Sequence, residues 1–405
     1  MKIVIVGQGY VGLPLSMSIC AAGHEVIGFD LNSKVVANLN LGISHIEDVD
    51  STEISKWISS GNYRASATPS DFAQSEIAII AVPTPLDDNR EPDVSFVESA
   101  SEILGKNLVK NALIVNESTS YPGTLRNVIV PKVEQNSPAG IKHLYAISPE
   151  RVDPGNQNWK IKNTPRLYAG LTLDAAKKTA EFYATFCDTI IELSAPEAAE
   201  AAKLFENTFR QVNIALVNEF SLICHKLGIN VHEVLDGAAT KPYGFMKFNP
   251  GIGVGGHCIP VDPTFLSFIA HKAGADAKFI ELANKVNFDM PKKIIDEISR
   301  RRDEKIKDKK ILVVGISYKS NISDVRESPT LRLIEELRDR GNEVCWHDPL
   351  VETWNDENSV NLADISSFDF VVISILHDVT NRDLITNSKV DVYDLTGKTK
   401  GVNSF

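Results

Sequence analysis

Residues 3–6, Ile3-Val4-Ile5-Val6, form an unbroken run of β-branched residues, the pattern of a strand buried on both faces. A glycine-spaced turn, Gly7-Gln8-Gly9-Tyr10-Val11-Gly12, follows at once. Pro14 then falls in the first turn of a predicted helix, where a missing N–H costs little, and Gly23 marks its stop. Further apolar runs predict strands over 25–29, 77–82, 112–115 and 144–147. The first of these ends at Asp30. The others end in Pro83-Thr84-Pro85, Glu117-Ser118-Thr119 and Ser148-Pro149-Glu150. Polar residues thus gather after the carboxyl ends of successive strands, where open α/β sheets bind ligands.

From about residue 194 the apolar spacing becomes helical. Ser194-Ala195-Pro196-Glu197 predicts a capping box with proline in the first turn, and the pattern runs to Leu227 before Gly228. A second helical stretch is predicted over 263–300. The charged run 300–310 reads as a solvated connector. Strands are then expected over 311–314, 343–346 and 370–375, with a helix from Pro329. The predicted fold class is α/β: two Rossmann-like doubly wound domains joined by a long central helix. The expected boundaries are 1–193 for a dinucleotide-binding domain, 194–300 for a central helical region and 301–405 for a second α/β domain. That second half has no full Gly-x-Gly-x-x-Gly, which suits the nucleotide part of a substrate better than a second dinucleotide.

Composition narrows the partners. A chain of 405 residues with a hydrophobic fraction of 43% can build more than one core. A net charge of -11 disfavours nucleic acid or an anionic membrane as a general partner. The five cysteines (Cys20, Cys187, Cys224, Cys258 and Cys345) show neither disulfide-framework nor zinc spacing, so no metal is expected and a reducing cytoplasm is. No signal peptide and no membrane span are evident in the apolar runs.

The glycine turn follows a strand and opens a helix, so its backbone can approach a pyrophosphate. Asp30 stands at the end of the second strand, where a carboxylate accepts hydrogen bonds from an adenosine ribose and repels a 2′-phosphate. NAD rather than NADP is therefore the expected cofactor. Cys258, in Gly255-Gly256-His257-Cys258-Ile259-Pro260-Val261-Asp262, reads as a nucleophile that captures an aldehyde and lets oxidation proceed to an acid. A lone cysteine in such a turn is more often a small buried residue. Lys203 and Asn207, four apart on one helix face, can hold an oxyanion, although such a pair alone is more often a solvated face. The loop Phe248-Asn249-Pro250-Gly251-Ile252-Gly253-Val254-Gly255-Gly256 offers amides to an anionic or polyhydroxyl ligand, or is simply a tight crossing. His257 is at most a supporting group.

These motifs are colinear over nearly the whole chain. Gly7-x-Gly9-Tyr10-Val11-Gly12, Val82-Pro83-Thr84-Pro85, Glu117-Ser118-Thr119, Ser148-Pro149-Glu150-Arg151, Lys203-x-x-x-Asn207, Gly255-Gly256-His257-Cys258 with Asp262, and Tyr318-Lys319 with Asp324-x-Arg326-Glu327-Ser328-Pro329 resemble the nucleotide-sugar 6-dehydrogenases. The resemblance implies Cys258 as nucleophile, Lys203 and Asn207 as the oxyanion pair, and Asp262 with Thr119 and Glu150 as the groups that position water and move protons. It implies Pro83, Thr84, Thr119 and Arg326 as cofactor contacts beside Gly7, Gly9, Tyr10, Val11, Gly12 and Asp30. Glu150, Arg151, Lys203, Asn207, Phe248, Asn249, Gly251, Gly255 and Lys319 would contact a UDP-sugar. The family uses two NAD per turnover and is usually a homodimer through the central helix.

Substrate choice is read from finer features. Pro149-Glu150-Arg151-Val152-Asp153-Pro154-Gly155 and His257 resemble the N-acetylhexosamine branch, and Pro242-Tyr243-Gly244-Phe245 leans toward UDP-N-acetylglucosamine. UDP-N-acetylmannosamine and UDP-glucose are the alternatives. Many UDP-glucose enzymes carry an arginine upstream of the glycine loop, and here none lies between Asn230 and Gly256; Lys241 is a flexible point charge instead. A two-electron hydroxyacid dehydrogenase also places Lys and Asn four apart on a helix, but needs no cysteine. A catalytically silent NAD-binding protein would not need the Lys203, Asn207, Cys258 and Asp262 set.

Overall fold

The computed structural model describes residues 1–153, 156, 158–399 and 401–404. The chain divides into two compact units. The first comprises 1–206 and 268–274, and the second 207–267 and 275–405, so the stretch 194–300 contributes to both.

The first unit is built on an eight-stranded sheet. Its strands are β1 (Lys2–Val6), β2 (Glu25–Phe29), β3 (Tyr63–Ser66), β4 (Ile77–Ile80), β5 (Leu113–Asn116), β6 (Leu144–Ile147), β7 (Arg166–Gly170) and β8 (Ile190–Glu192). Their order is β3-β2-β1-β4-β5-β6-β7-β8, and all neighbours are parallel except β6 and β7. The first six strands follow the doubly wound dinucleotide-binding order, with its switch point between β1 and β4. The apolar run of β1 splits by alternation. Ile3 and Ile5 enter the core on one face with Leu13 and Met17, and Val4 and Val6 enter the other with Phe72 and Leu104.

The second unit repeats this logic with five parallel strands: β9 (Lys310–Val314), β10 (Glu343–His347), β11 (Phe370–Ile373), β12 (Asp391–Asp394) and β13 (Asn403–Ser404). Their order is β10-β9-β11-β12-β13. Numbered from β9 this is 2-1-3-4-5, the other common doubly wound arrangement. Ile311 and Val313 pack with Ile334 and Trp346, while Leu312 and Val314 pack with Leu362 and Ile385 on the other face.

The long helix is one element, Pro196–Leu227, of 32 residues and roughly 48 Å. Its start departs from the predicted capping box. Ala195 receives the first helical hydrogen bonds, and the Glu197 carboxylate turns to the Arg126 guanidinium at 2.7 Å. The stretch predicted as one helix over 263–300 is two, Asp262–Lys272 and Lys278–Arg302. Gly274, at φ +77°, ends the first by adopting the left-handed conformation that helical spacing cannot reveal. Strands β3, β7, β8, β12 and β13 were not expected. β3 contains the exposed Arg64, and β8 has only three residues with two of them exposed, so neither carries a continuous apolar run.

Candidate active site

The three glycines of the first turn differ in what surrounds them. Gly7, at φ +95°, donates its N–H to Phe29 O at 2.8 Å, and a Cβ there would lie 2.4 Å from Ala81 O. A Cβ on Gly12 would lie 1.8 Å from Gly7 O, so helix and turn meet only through a bare backbone. Gly9 has nothing within 4 Å of that position. Its bare Cα therefore faces open space at the start of helix Gly12–Ala21, which fits a cradle for a pyrophosphate. Asp30 is half-buried, and its carboxylate accepts from Gln8 N–H and Asn32 N–H at 2.9 Å each, which fixes it at the end of β2. Tyr10 and Val11 are half-buried at the head of the helix. The Gln8 side chain, unremarked in the motif, is fully buried. It accepts from the Tyr63 and Ser16 hydroxyls and donates to Ile5 O and Gly7 O, locking the turn from below.

Beyond β4, Thr84 is buried and Pro83 exposed. Ser118 ties the ends of β4 and β5 together: its hydroxyl accepts from Val82 N–H at 2.9 Å and donates to Val82 O at 2.8 Å. Thr119 follows, half-buried. Glu117 points inward and forms a buried ion pair with Arg166, while the Tyr183 hydroxyl donates to Glu117 Oε1 at 2.5 Å. Arg166 also donates to Ser148 Oγ at 2.7 Å and lies 4.4 Å from the Tyr183 ring centroid. Burial pushes the Glu117 carboxyl up, and Arg166 and Tyr183 pull it back. Burial pushes the Tyr183 hydroxyl well up, so it stays a donor. Glu150 is half-buried and accepts from Val152 N–H. Arg151 is engaged by Glu206, at 2.7 Å and 3.2 Å, and by Pro165 O. Pro154 and Gly155 of the N-acetylhexosamine-like segment lie outside the described residues. Lys203 is buried on the long helix.

In the second unit the sequence pair separated by 55 residues meets: Asn207 Nδ2 donates to Asp262 Oδ2 at 2.6 Å, with both side chains buried. Asp262 opens a helix, and the N–H groups of Val261 and Asp262 both turn back to Cys258 O, at 3.1 Å and 2.8 Å. Cys258 is half-buried. Burial, followed by the Arg326 charge, lowers the His257 pKa and keeps that ring neutral near pH 7.

The glycine loop is packed where it must be and open elsewhere. A Cβ on Gly255 would lie 2.8 Å from Tyr318 and Pro329, and one on Gly256 2.7 Å from the Tyr318 ring. Gly251 has nothing within 4 Å, while its N–H donates to Asn218 Oδ1 at 2.8 Å. Asn218 donates to Asn287 Oδ1, and Asn287 to Gln211 O, a buried amide chain that the sequence reading missed. Ile252 drops into the second unit's core. Phe248 is half-buried beside Phe209, and Asn249 is exposed. Lys319 is half-buried, and Arg326 is exposed with its guanidinium on Asp324. Lys241 lies 5.0 Å from the Tyr243 ring centroid.

The turn after β9 repeats two hydrogen bonds of the first turn and then departs from it. Gly315, at φ +83°, donates its N–H to His347 O at 2.8 Å, and Ile316 N–H donates to Asp348 Oδ2 at 2.9 Å. This repeats Gly7 with Phe29 and Gln8 with Asp30. Asp348, however, is buried, and His377 Nε2 lies 3.1 Å from its Oδ2. The carboxylate that is half-buried in the first turn is consumed by a histidine in the second, so the second turn does not reproduce a dinucleotide's ribose site. Asp348 lying at the end of the second strand, as Asp30 does, is the sequence signal that could have revealed the repeat.

Residues 1–187 match the NAD binding domain of the UDP-glucose/GDP-mannose dehydrogenase family, 197–289 its central domain and 312–394 its UDP binding domain. The chain is 34% identical to UDP-N-acetyl-D-mannosamine dehydrogenase of Pyrococcus horikoshii over 88% of this chain and 85% of that one. It is 30% identical to UDP-N-acetyl-D-glucosamine 6-dehydrogenase of Pseudomonas aeruginosa, over 93% and 90%. The solved structure of a UDP-D-ManNAc dehydrogenase from Pyrococcus horikoshii superposes with a TM-score of 0.89 at 31% identity, covering 100% of this chain and 98% of that one. Among the described residues no helix is long and apolar enough to cross a membrane. With its three domains matched in order, the chain belongs to the UDP-glucose/GDP-mannose dehydrogenase family and is an NAD-dependent UDP-sugar dehydrogenase.

Proposed function

We propose that the enzyme carries out a four-electron oxidation at C6 of a UDP-N-acetylhexosamine, with Cys258 as nucleophile. The observation that carries this reading is the buried Asn207–Asp262 hydrogen bond at the helix start whose first N–H groups fold back on Cys258 O. NAD, when bound over Gly7, Gly9, Gly12 and Asp30 with Thr84 and Thr119 beside it, supplies the hydride acceptor. Lys203 and Asn207 stabilise negative charge on the C6 oxygen. After the first oxidation the Cys258 sulfur bonds to the aldehyde carbon, and the carbonyl π pair moves to oxygen, giving a thiohemiacetal. Loss of a second hydride leaves a thioester. Asp262, Thr119 and Glu150 then position water and take its proton; water oxygen bonds to the carbonyl carbon, the C–S bond breaks, and the sulfur leaves with its electron pair. The net change per sugar is two hydrides and two protons removed, one water consumed and a carboxylic acid formed. Asn249, Gly251, Gly255 and Lys319 hold the UDP-sugar.

Purified protein given NAD and one sugar nucleotide at a time should form two NADH per sugar. A yield of one would remove the thioester and leave a two-electron dehydrogenase. The relative named for mannosamine shares more identity than the one named for glucosamine, which favours UDP-N-acetyl-D-mannosamine over the glucosamine epimer that Pro242-Tyr243-Gly244-Phe245 suggests. Comparing kcat/KM for both epimers and for UDP-glucose decides among them.

We also infer a homodimer through the long helix, working in the cytoplasm, where its free cysteines stay reduced. Phe205, Phe209, Leu216, Ile223 and Leu227 are exposed at spacings of four and seven, which puts them on one helical stripe. Leu216→Glu should convert the dimer to monomer in sedimentation velocity; an unchanged dimer would place the interface elsewhere.

A further inference from the structure

Glu200 is a buried carboxylate that the mechanism above leaves unused. Glu200 lies on the long helix one turn before Lys203 and is 1% exposed. Its Oε2 accepts from Gly123 N–H at 2.6 Å, and its Oε1 from Leu125 N–H at 3.0 Å and from the Ser120 hydroxyl at 3.3 Å. Ser120 directly follows Thr119. The other end of the same stretch is fixed independently. Glu117 N–H and Ser118 N–H donate to Ile80 O, at 2.8 Å and 3.1 Å, and Asn116 Nδ2 donates to Ser118 O and Ser120 Oγ. Thr119 therefore sits between two anchors, one on β4 and one on the helix turn that leads to Lys203. A carboxylate withdrawn from water is a costly way to satisfy two main-chain N–H groups that a short neutral side chain could serve. Its reach across to another element is what a neutral cap lacks.

We propose that Glu200 is a positioning residue: its carboxylate ties the Ser120–Gly123–Leu125 turn to the long helix and so holds Thr119 and Lys203 in register for the reaction. This rests on the roles given to Thr119 and Lys203 above. Burial pushes the Glu200 carboxyl up to about 7, against the pull of the Leu125 and Gly123 N–H groups, with Glu197 raising it further. Arg126 and Tyr121, on the packed stretch, face the same carboxylate. Above that pH both oxygens accept. Below it one oxygen carries a proton aimed at groups that are themselves donors, and the tie weakens.

The test uses full-length Glu200→Gln and Glu200→Asp, with Lys203→Ala and Thr119→Ala as references. Near pH 8.5, Glu200→Gln should lower kcat about ten- to a hundredfold, the scale of a small misplacement, while KM for NAD and sugar nucleotide changes less than about threefold. The acid limb of wild-type kcat near pH 7 should disappear in Glu200→Gln, and Glu200→Asp should restore part of the rate. Thermal unfolding gives a readout apart from activity. The folded-state pKa is raised, so wild type should lose stability as pH rises from the ordinary carboxyl range through about 7, and Glu200→Gln should not. A Glu200→Gln kcat within twofold of wild type, or an unmoved acid limb, overturns the proposal. If Lys203→Ala and Thr119→Ala keep full kcat, their own roles fail; if they lose it while Glu200→Gln does not, only the tie fails.

Discussion

Cys258→Ala is expected to lower uronate formation by about a thousandfold or more, because no other side chain in the proposed constellation can hold the aldehyde for a second oxidation. NAD affinity should stay within about twofold by calorimetry, since the sulfur lies outside the Gly7–Asp30 turn proposed to hold it, and UDP affinity should do the same, since Asn249, Gly251, Gly255 and Lys319 are left in place. This pairing of outcomes matters. Loss of rate with loss of both affinities would mean a misfolded loop. A variant that still made uronate within tenfold of wild type would end the covalent proposal. The loop tolerates the change sterically, because alanine is smaller than cysteine and the close contacts with Tyr318 at Gly255 and Gly256 are untouched.

Arg166→Met is expected to destabilise the first unit by about 3–5 kcal/mol, the cost of stranding a buried charge. For a unit of this size that corresponds to a midpoint lower by roughly 6–20 °C. Glu117 would keep the Tyr183 hydrogen bond but lose the Arg166 guanidinium, a pair whose side chains are 1% and 8% exposed. Combining Arg166→Met with Glu117→Gln should recover part of the loss, because the second change removes the stranded charge. A single variant within about 1 kcal/mol of wild type in urea unfolding would mean that Glu117 is held neutral and needs no arginine. The expected effect reaches function because Glu117 precedes Ser118 and Thr119, whose main chain lies across the ends of β4 and β5.

The two turns show how one backbone device is directed to two uses. Gly7 and Gly315 have the same left-handed backbone, the same N–H partner at the end of the neighbouring strand and the same carboxylate below the next N–H. The difference lies in a histidine that arrives from beyond β11. His377 accepts Asn321 N–H at Nδ1, which leaves Nε2 to donate to Asp348. The half-buried Asp30 suits a ribose, and the covered Asp348 instead stiffens the loop that carries Lys319.

By itself the sequence determined the central strands of both units, because an unbroken β-branched run has no stable place except between two apolar layers. It also determined the first glycine turn, whose three glycines and Asp30 act through local backbone geometry, and the extent of the long helix of 32 residues, whose spacing persists for nearly nine turns. Its helical periods ran through Gly274, where only a positive φ ended the helix. Tertiary structure alone decided the meeting of Asn207 with Asp262, of Glu117 with Arg166 and Tyr183, of Glu200 with Gly123 and Leu125, and of Asp348 with His377. Each is a hydrogen bond or ion pair made by a side chain with a group far away in the chain, set by how whole elements pack, and a local pattern of apolar and polar positions holds no record of it.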